Sequence, residues 1–173
     1  MKKILTFLAT FVLFASIANA QITVTSIEGT IAVPTVPFIN TNADGWCQTI
    51  YTSDMIGGYT NGGTIYSISY NLSMAFATIG TQDVYIYMAN TSKTKHNNNS
   101  DWVAIADLTQ VYHNASFQQP TATGWFTITL DTPFEYTGGS LLICVAKDGT
   151  AAYTNERYLS FNKVGTVTTT NDL

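Results

Sequence analysis

The stretch Gly124–Asp148, GWFTITLDTPFEYTGGSLLICVAKD, decides what kind of chain this is. Phe126, Ile128 and Leu130 alternate with Trp125, Thr127 and Thr129, the period-two pattern of a strand with one buried face. Pro133 lacks the N–H that a sheet ladder needs, and Gly138-Gly139 admit positive φ, so the first run is expected to end there in a corner. Leu141 to Ala146 is then apolar at every position, as expected of a strand covered on both faces. The result is strand, corner, strand, with the remaining chain packed around the pair.

Working outward, the same alternation recurs. Tyr66, Ile68, Tyr70 and Leu72 share one face of Thr64–Leu72, and Val84, Ile86 and Met88 alternate with Tyr85 and Tyr87. Trp46 to Tyr51 reads as a short strand, followed by one helical turn within Ser53–Gly58, with Ser53 or Asp54 as cap and glycine as stop. Further short strands are expected at Ile22–Val33, Trp102–Ile105, Gln110–Tyr112, Ser116–Phe117 and Tyr158–Phe161. The polar runs Asn40–Gly45 and Thr91–Ser100 read as loops. The Thr-rich end offers no obvious closing strand. No segment keeps a 3.6-residue apolar period over a helix length. The fold expected is all-β: an antiparallel two-sheet, jelly-roll-like sandwich, with Ile68, Ile86, Ile128, Leu130, Leu142 and Val145 in the core.

Met1–Ala20 reads as a cleaved signal peptide. Lys2 and Lys3 precede an apolar run from Ile4 to Ile17, and Ala18-Asn19-Ala20 gives a small-x-small cleavage pattern. Residues 21–173 then form one exported β-sandwich domain, with no further apolar stretch long enough to insert in a membrane. Without the leader's two lysines the chain keeps five basic against eleven acidic residues, a net charge near −6. That balance excludes nucleic acid and anionic membranes as natural partners. Cys47 and Cys144 are open to a disulfide in an oxidising compartment, but free thiols with Cys144 buried are the expectation.

An ordered series of motifs carries a resemblance. It comprises CQTIYTSDMIGG (Cys47–Gly58), Gly63-Thr64-Ile65, VYIYM (Val84–Met88) with Thr91-Ser92-Lys93-Thr94, Asp101-Trp102-Val103 and GWFTITLDTPF (Gly124–Phe134). This succession resembles a β-sandwich module of large secreted and surface proteins of Bacteroidota-type bacteria. Such modules often precede fibronectin type III-like modules and a C-terminal sorting domain. The resemblance implies a sandwich fold, a surface setting and membership of a longer multi-module chain; the missing downstream modules and the Thr-rich end make this sequence either a truncated one or the N-terminal module of such a chain. It implies no catalytic residues.

The chemical inventory agrees with a non-catalytic protein. His96 and His113 lack zinc-ligand spacing and read as surface histidines, and no nucleophile elbow is present. The acids sit at turns and strand edges, where solvation or capping is their ordinary role. No cofactor is implied, though Asp44, Asp54 or Asp148 leave room for a structural calcium. Aromatic residues are the remaining signal. Trp46 and Trp102 each follow a polar loop, where a flat ring stacks on a sugar face while neighbouring Asn and Asp bond its hydroxyls. The ligand-binding candidates are therefore Trp46, Trp102, Asn42, Asp44, Asn98 and Asn99, with a glycan or a surface protein as partner. The competing expectations are a structural spacer of a larger secreted enzyme, in which the tryptophans merely pack, and a small hydrolase with a carboxylate pair.

Overall fold

The computed structural model describes residues 31–33, 37–38, 44–56, 61–74, 81–148, 160–163 and 167–170. The expected leader, Ile22–Thr30 and Asn42 lie outside the described residues. Among the described residues there are nine strands: β1 (Ile31–Val33), β2 (Gly45–Tyr51), β3 (Gly63–Met74), β4 (Gln82–Thr91), β5 (Thr109–Phe117), β6 (Gly124–Tyr136), β7 (Ser140–Asp148), β8 (Ser160–Lys163) and β9 (Val167–Thr170). They form two antiparallel sheets, ordered β1-β8-β3-β6 and β5-β4-β7-β2-β9. Without β9 the orders 1-8-3-6 and 5-4-7-2 are those of a jelly roll, in which successive strands mostly cross between sheets.

Both strands of the deciding stretch exist, one in each sheet. The glycine corner between them has φ of 88° at Gly138 and 82° at Gly139, and the Tyr136 hydroxyl donates to the Gly139 carbonyl at 2.7 Å. Pro133, however, does not end β6. The β3–β6 register jumps from Ile65↔Phe134 to Ser67↔Thr129, so Leu130–Pro133 bulge opposite the single residue Tyr66. A proline is tolerated there because a bulge asks no ladder hydrogen bond of it. The same bulge changes the phase of β3. Ile65, Ile68 and Tyr70 pack against the core and Leu72 is buried within it, but Tyr66 is thrown outward and is 54% exposed, against expectation.

The core lies between the sheets. Leu72, Ile128, Leu130 and Phe134 from one meet Val84, Ile86, Met88, Val111, Ile143 and Val145 from the other. Strand β7 is buried from Ser140 to Lys147 because it has two jobs. Leu141, Ile143 and Val145 face the other sheet. Leu142 and Cys144 face away, and with Ile50 they form a second cluster beneath Val103 and Leu108 of the β4–β5 connection. Leu142 is thus buried as expected, but in this outer cluster. Cys47 pairs with Val145 and Cys144 with Gln48, so the cysteines sit on opposite faces of neighbouring strands. Side chains on opposite faces cannot be bridged, and both thiols are free and buried.

Other expectations shift locally. Trp102–Ile105 is not a strand; the Val103 peptide bonds to the Gln48 side chain instead of a neighbouring strand, and Ile105–Asp107 forms a single 3-10 turn. The two short strands around Gln110 and Ser116 are one, β5. Part of the Thr-rich end does close a sheet: Val167–Thr170 pairs with β2 as β9. β-Branched threonines suit such an edge even without alternating apolar residues.

Candidate aromatic site on the outer face

The outward face of the five-stranded sheet can be written row by row from its register. Ile50, Leu142 and Ala89 lie abreast on β2, β7 and β4, and Gln48, Cys144 and Tyr87 form the next row. After these come Trp46, Ala146 and Tyr85, with His113 of β5 beside Tyr85. Asp148 and Asp83 lie opposite each other one row further on.

The β4–β5 connection, residues 92–108, covers the first two rows. Gln48 holds it with a fully buried side chain: Nε2 donates to the Val103 carbonyl at 2.7 Å, and Oε1 accepts from the Val103 N–H at 3.0 Å. Asp101 ties the loop to itself. Its carboxylate pairs with Lys93 and accepts from the Asn97 backbone N–H and amide. These contacts, the Lys93 hydrogen bond first, hold its carboxyl down at about 2. Asn98 and Asn99 are exposed, but both serve the loop: Asn98 Oδ1 accepts from the Ser100 N–H, and the Asn99 carbonyl accepts from Trp102 Nε1 at 2.6 Å.

Trp102 then lies over Trp46 with ring centroids 5.0 Å apart and planes within 9°. The two sequence-predicted tryptophans are therefore brought together, each half-buried. His96 also reaches Trp102, at 5.9 Å. Contrary to its surface reading, His96 is buried within the polar loop. Its Nδ1 lies 2.8 Å from the Asp101 carbonyl, which can only accept, so Nδ1 carries a hydrogen. His96 Nε2 and Trp46 Nε1 are both buried without a hydrogen-bond partner among the described residues.

Across the small side chain of Ala146, two strand spacings or about 9.5 Å from Trp46, stands a second aromatic group that sequence reasoning missed. Tyr85 stacks on His113 at 4.2 Å and lies 6.4 Å from Tyr87, near parallel to both. Asp83 accepts from the Tyr85 hydroxyl at 3.0 Å and lies 2.8 Å from His113 Nε2. The signal was available in the alternation of β4, which sends Tyr85 and Tyr87 outward whenever Val84, Ile86 and Met88 go inward.

Asp44 is half-buried just before β2, and its charge raises the pKa of Lys147, while Asp54 is exposed in the 3-10 turn. Among the described residues no three His, Cys, Asp or Glu side chains are grouped to hold a metal ion. Lys147 points inward at the end of the core, 2% exposed, and burial lowers its ammonium to about 8 despite Asp44. Asp83 and Asp148 are the facing carboxylate pair, but Asp148 is exposed and Asp83 is already engaged by two partners.

Comparisons with protein-family models, curated proteins and solved structures found no match for this chain.

Proposed function

We propose that the protein is an exported, non-catalytic β-sandwich module that binds carbohydrate, or adheres through it, at the bacterial surface, within a longer multi-module chain. The observation that supports this reading is the gathering of Trp46, Trp102, Tyr85, Tyr87 and His113 on one outward sheet face. Ring faces stack on sugar faces, and the adjoining hydroxyl, imidazole and carboxylate groups suit sugar hydroxyls. Screening residues 21–173 on a glycan array, then titrating any hit against Tyr85→Ala and Trp46→Ala, tests it. Tyr85 is the cleaner probe, since it has no part in holding the loop. Binding that falls about tenfold or more in Tyr85→Ala, with an unchanged melting temperature, is expected. A hit indifferent to both substitutions defeats the proposal.

A second reading has its own observation. Trp46 and Trp102 each spend a face on the other, and Trp102 also bonds back to its loop. A spacer without a ligand needs only that. It is the reading that stands when no glycan binds and Trp102→Ala merely loosens the loop.

A further inference from the structure

We infer, building on the saccharide reading above, that the sugar taken by this face carries a protonated amine: it is an amino sugar lying over Tyr85 with its ammonium against Asp148 and Asp83. Three observations lead there. First, Asp83 and Asp148 are direct cross-strand neighbours on the same outward face. Like charges placed opposite one another destabilise a sheet, and a cation between them reverses the sign. Second, the Asp83 carboxylate is already engaged by His113 and Tyr85, whereas the Asp148 side chain is exposed and its carboxylate makes no hydrogen bond or ion pair among the described residues. Third, strands β2, β4, β5 and β7 together hold one lysine, Lys147, and no arginine, and that lysine is buried on the opposite, inward face.

Outward, these strands therefore offer acceptors and ring faces without a competing ammonium or guanidinium. A cation over a tyrosine ring is attracted by the ring's electron-rich face, and a carboxylate at the ring's edge adds to that attraction. The negative field already acts within the protein. The Tyr85 hydroxyl is pushed above its ordinary value, first by donating to Asp83 and further by the charges of Asp83 and Asp148. A neutral sugar would gain the ring and could donate a hydroxyl to Asp148, but would gain no charge pairing there. An acidic sugar would meet two like charges.

The test is titration calorimetry of residues 21–173 with β-linked oligomers of glucosamine, N-acetylglucosamine and glucose, which differ only in bearing an ammonium, an amide or a hydroxyl. The glucosamine oligomer should bind about three- to tenfold tighter than the others, and that margin should shrink between about 0.1 M and 1 M salt. Asp148→Asn should erase the margin while leaving the weaker binding of the neutral oligomers. Tyr85→Ala should weaken all three. Equal binding of the three oligomers, unchanged in Asp148→Asn, overturns the amine and leaves the saccharide platform standing. No binding by any of them overturns both. A lysine oligopeptide is run alongside; if it binds where the sugars do not, the ammonium site belongs to peptides and the saccharide assignment is wrong.

Discussion

Replacing Gln48 with leucine removes both hydrogen bonds that hold the Val103 peptide while keeping much of the side chain's volume. Gln48 is 0% exposed, so the Val103 N–H and carbonyl lose their partners next to an apolar cluster. Each orphaned buried group costs about 1–3 kcal/mol, giving about 2–6 kcal/mol if the loop stays in place. The loop has a cheaper course. It can lift and hydrate Val103, which uncovers Leu142, Cys144 and Ile50 and parts Trp102 from Trp46. The measured loss is then capped by the cost of that opening, and about 2–4 kcal/mol is expected, a large share of a small domain's 5–15 kcal/mol. Urea denaturation gives the magnitude. Near-ultraviolet circular dichroism reports the mechanism, because two indoles stacked at 5.0 Å couple and separated ones do not. Gln48→Glu serves as the partner variant: it can still accept from the Val103 N–H but sets an oxygen against the carbonyl, so it should also destabilise. A loss below about 0.5 kcal/mol in both variants, with the indole signal intact, would refute the clamp.

Ile128→Ala or Leu130→Ala should cost about 2–5 kcal/mol by denaturant titration, since both fill the space between the sheets. Native protein should resist thiol reagents and yield two reactive thiols on unfolding without reductant; burial pushes Cys47 and Cys144 from 9.0 up to about 12. Stability should rise from pH 8 to 9 and fall above it. The cost of burying the Lys147 ammonium is fully present below about 8 and is relieved as pH climbs towards its ordinary 10.5. The unfolded chain begins to ionise its thiols near 9.0 while the folded chain holds them neutral towards 12, which favours unfolding. Tyr51 and Tyr70, raised by burial, add to that fall from about pH 10. Lys147→Met should abolish the rise and keep the fall; a rise that persists in this variant assigns it elsewhere.

What could be read in the residues follows from what periodicity can report. Alternation assigns faces within a strand, so β4, β6 and the doubly covered β7 were legible. Register is a relation between strands. The bulge that frees Pro133 and exposes Tyr66 therefore left no mark in either strand alone, nor did the placement of Cys47 and Cys144 on opposite faces. The tryptophans were legible as loop-side aromatics. That Trp46, Ala146, Tyr85 and His113 share a row required knowing that β2, β7, β4 and β5 are neighbours. His96 was misread because a polar loop usually lies open, whereas here Asp101 and Gln48 fold it down onto an apolar patch. The closing strand was missed because threonines pair as well as they solvate.

The bulge in β6 also has a bearing on how many copies of this protein can crowd together. β6 is 13 residues long and borders its sheet, so a regular ladder along it would be a template for another molecule's strand. The Leu130–Pro133 interruption breaks that template near its middle, and a proline within it has no N–H to offer a newcomer. Asp131, in the same interruption, accepts from the His113 N–H of β5, the border strand of the opposite sheet. One irregular turn of chain thus stitches two sheet borders together and denies both to fibril growth. Straightening it by deleting residues from Leu130–Pro133 would lengthen the ladder and bring aggregation with it.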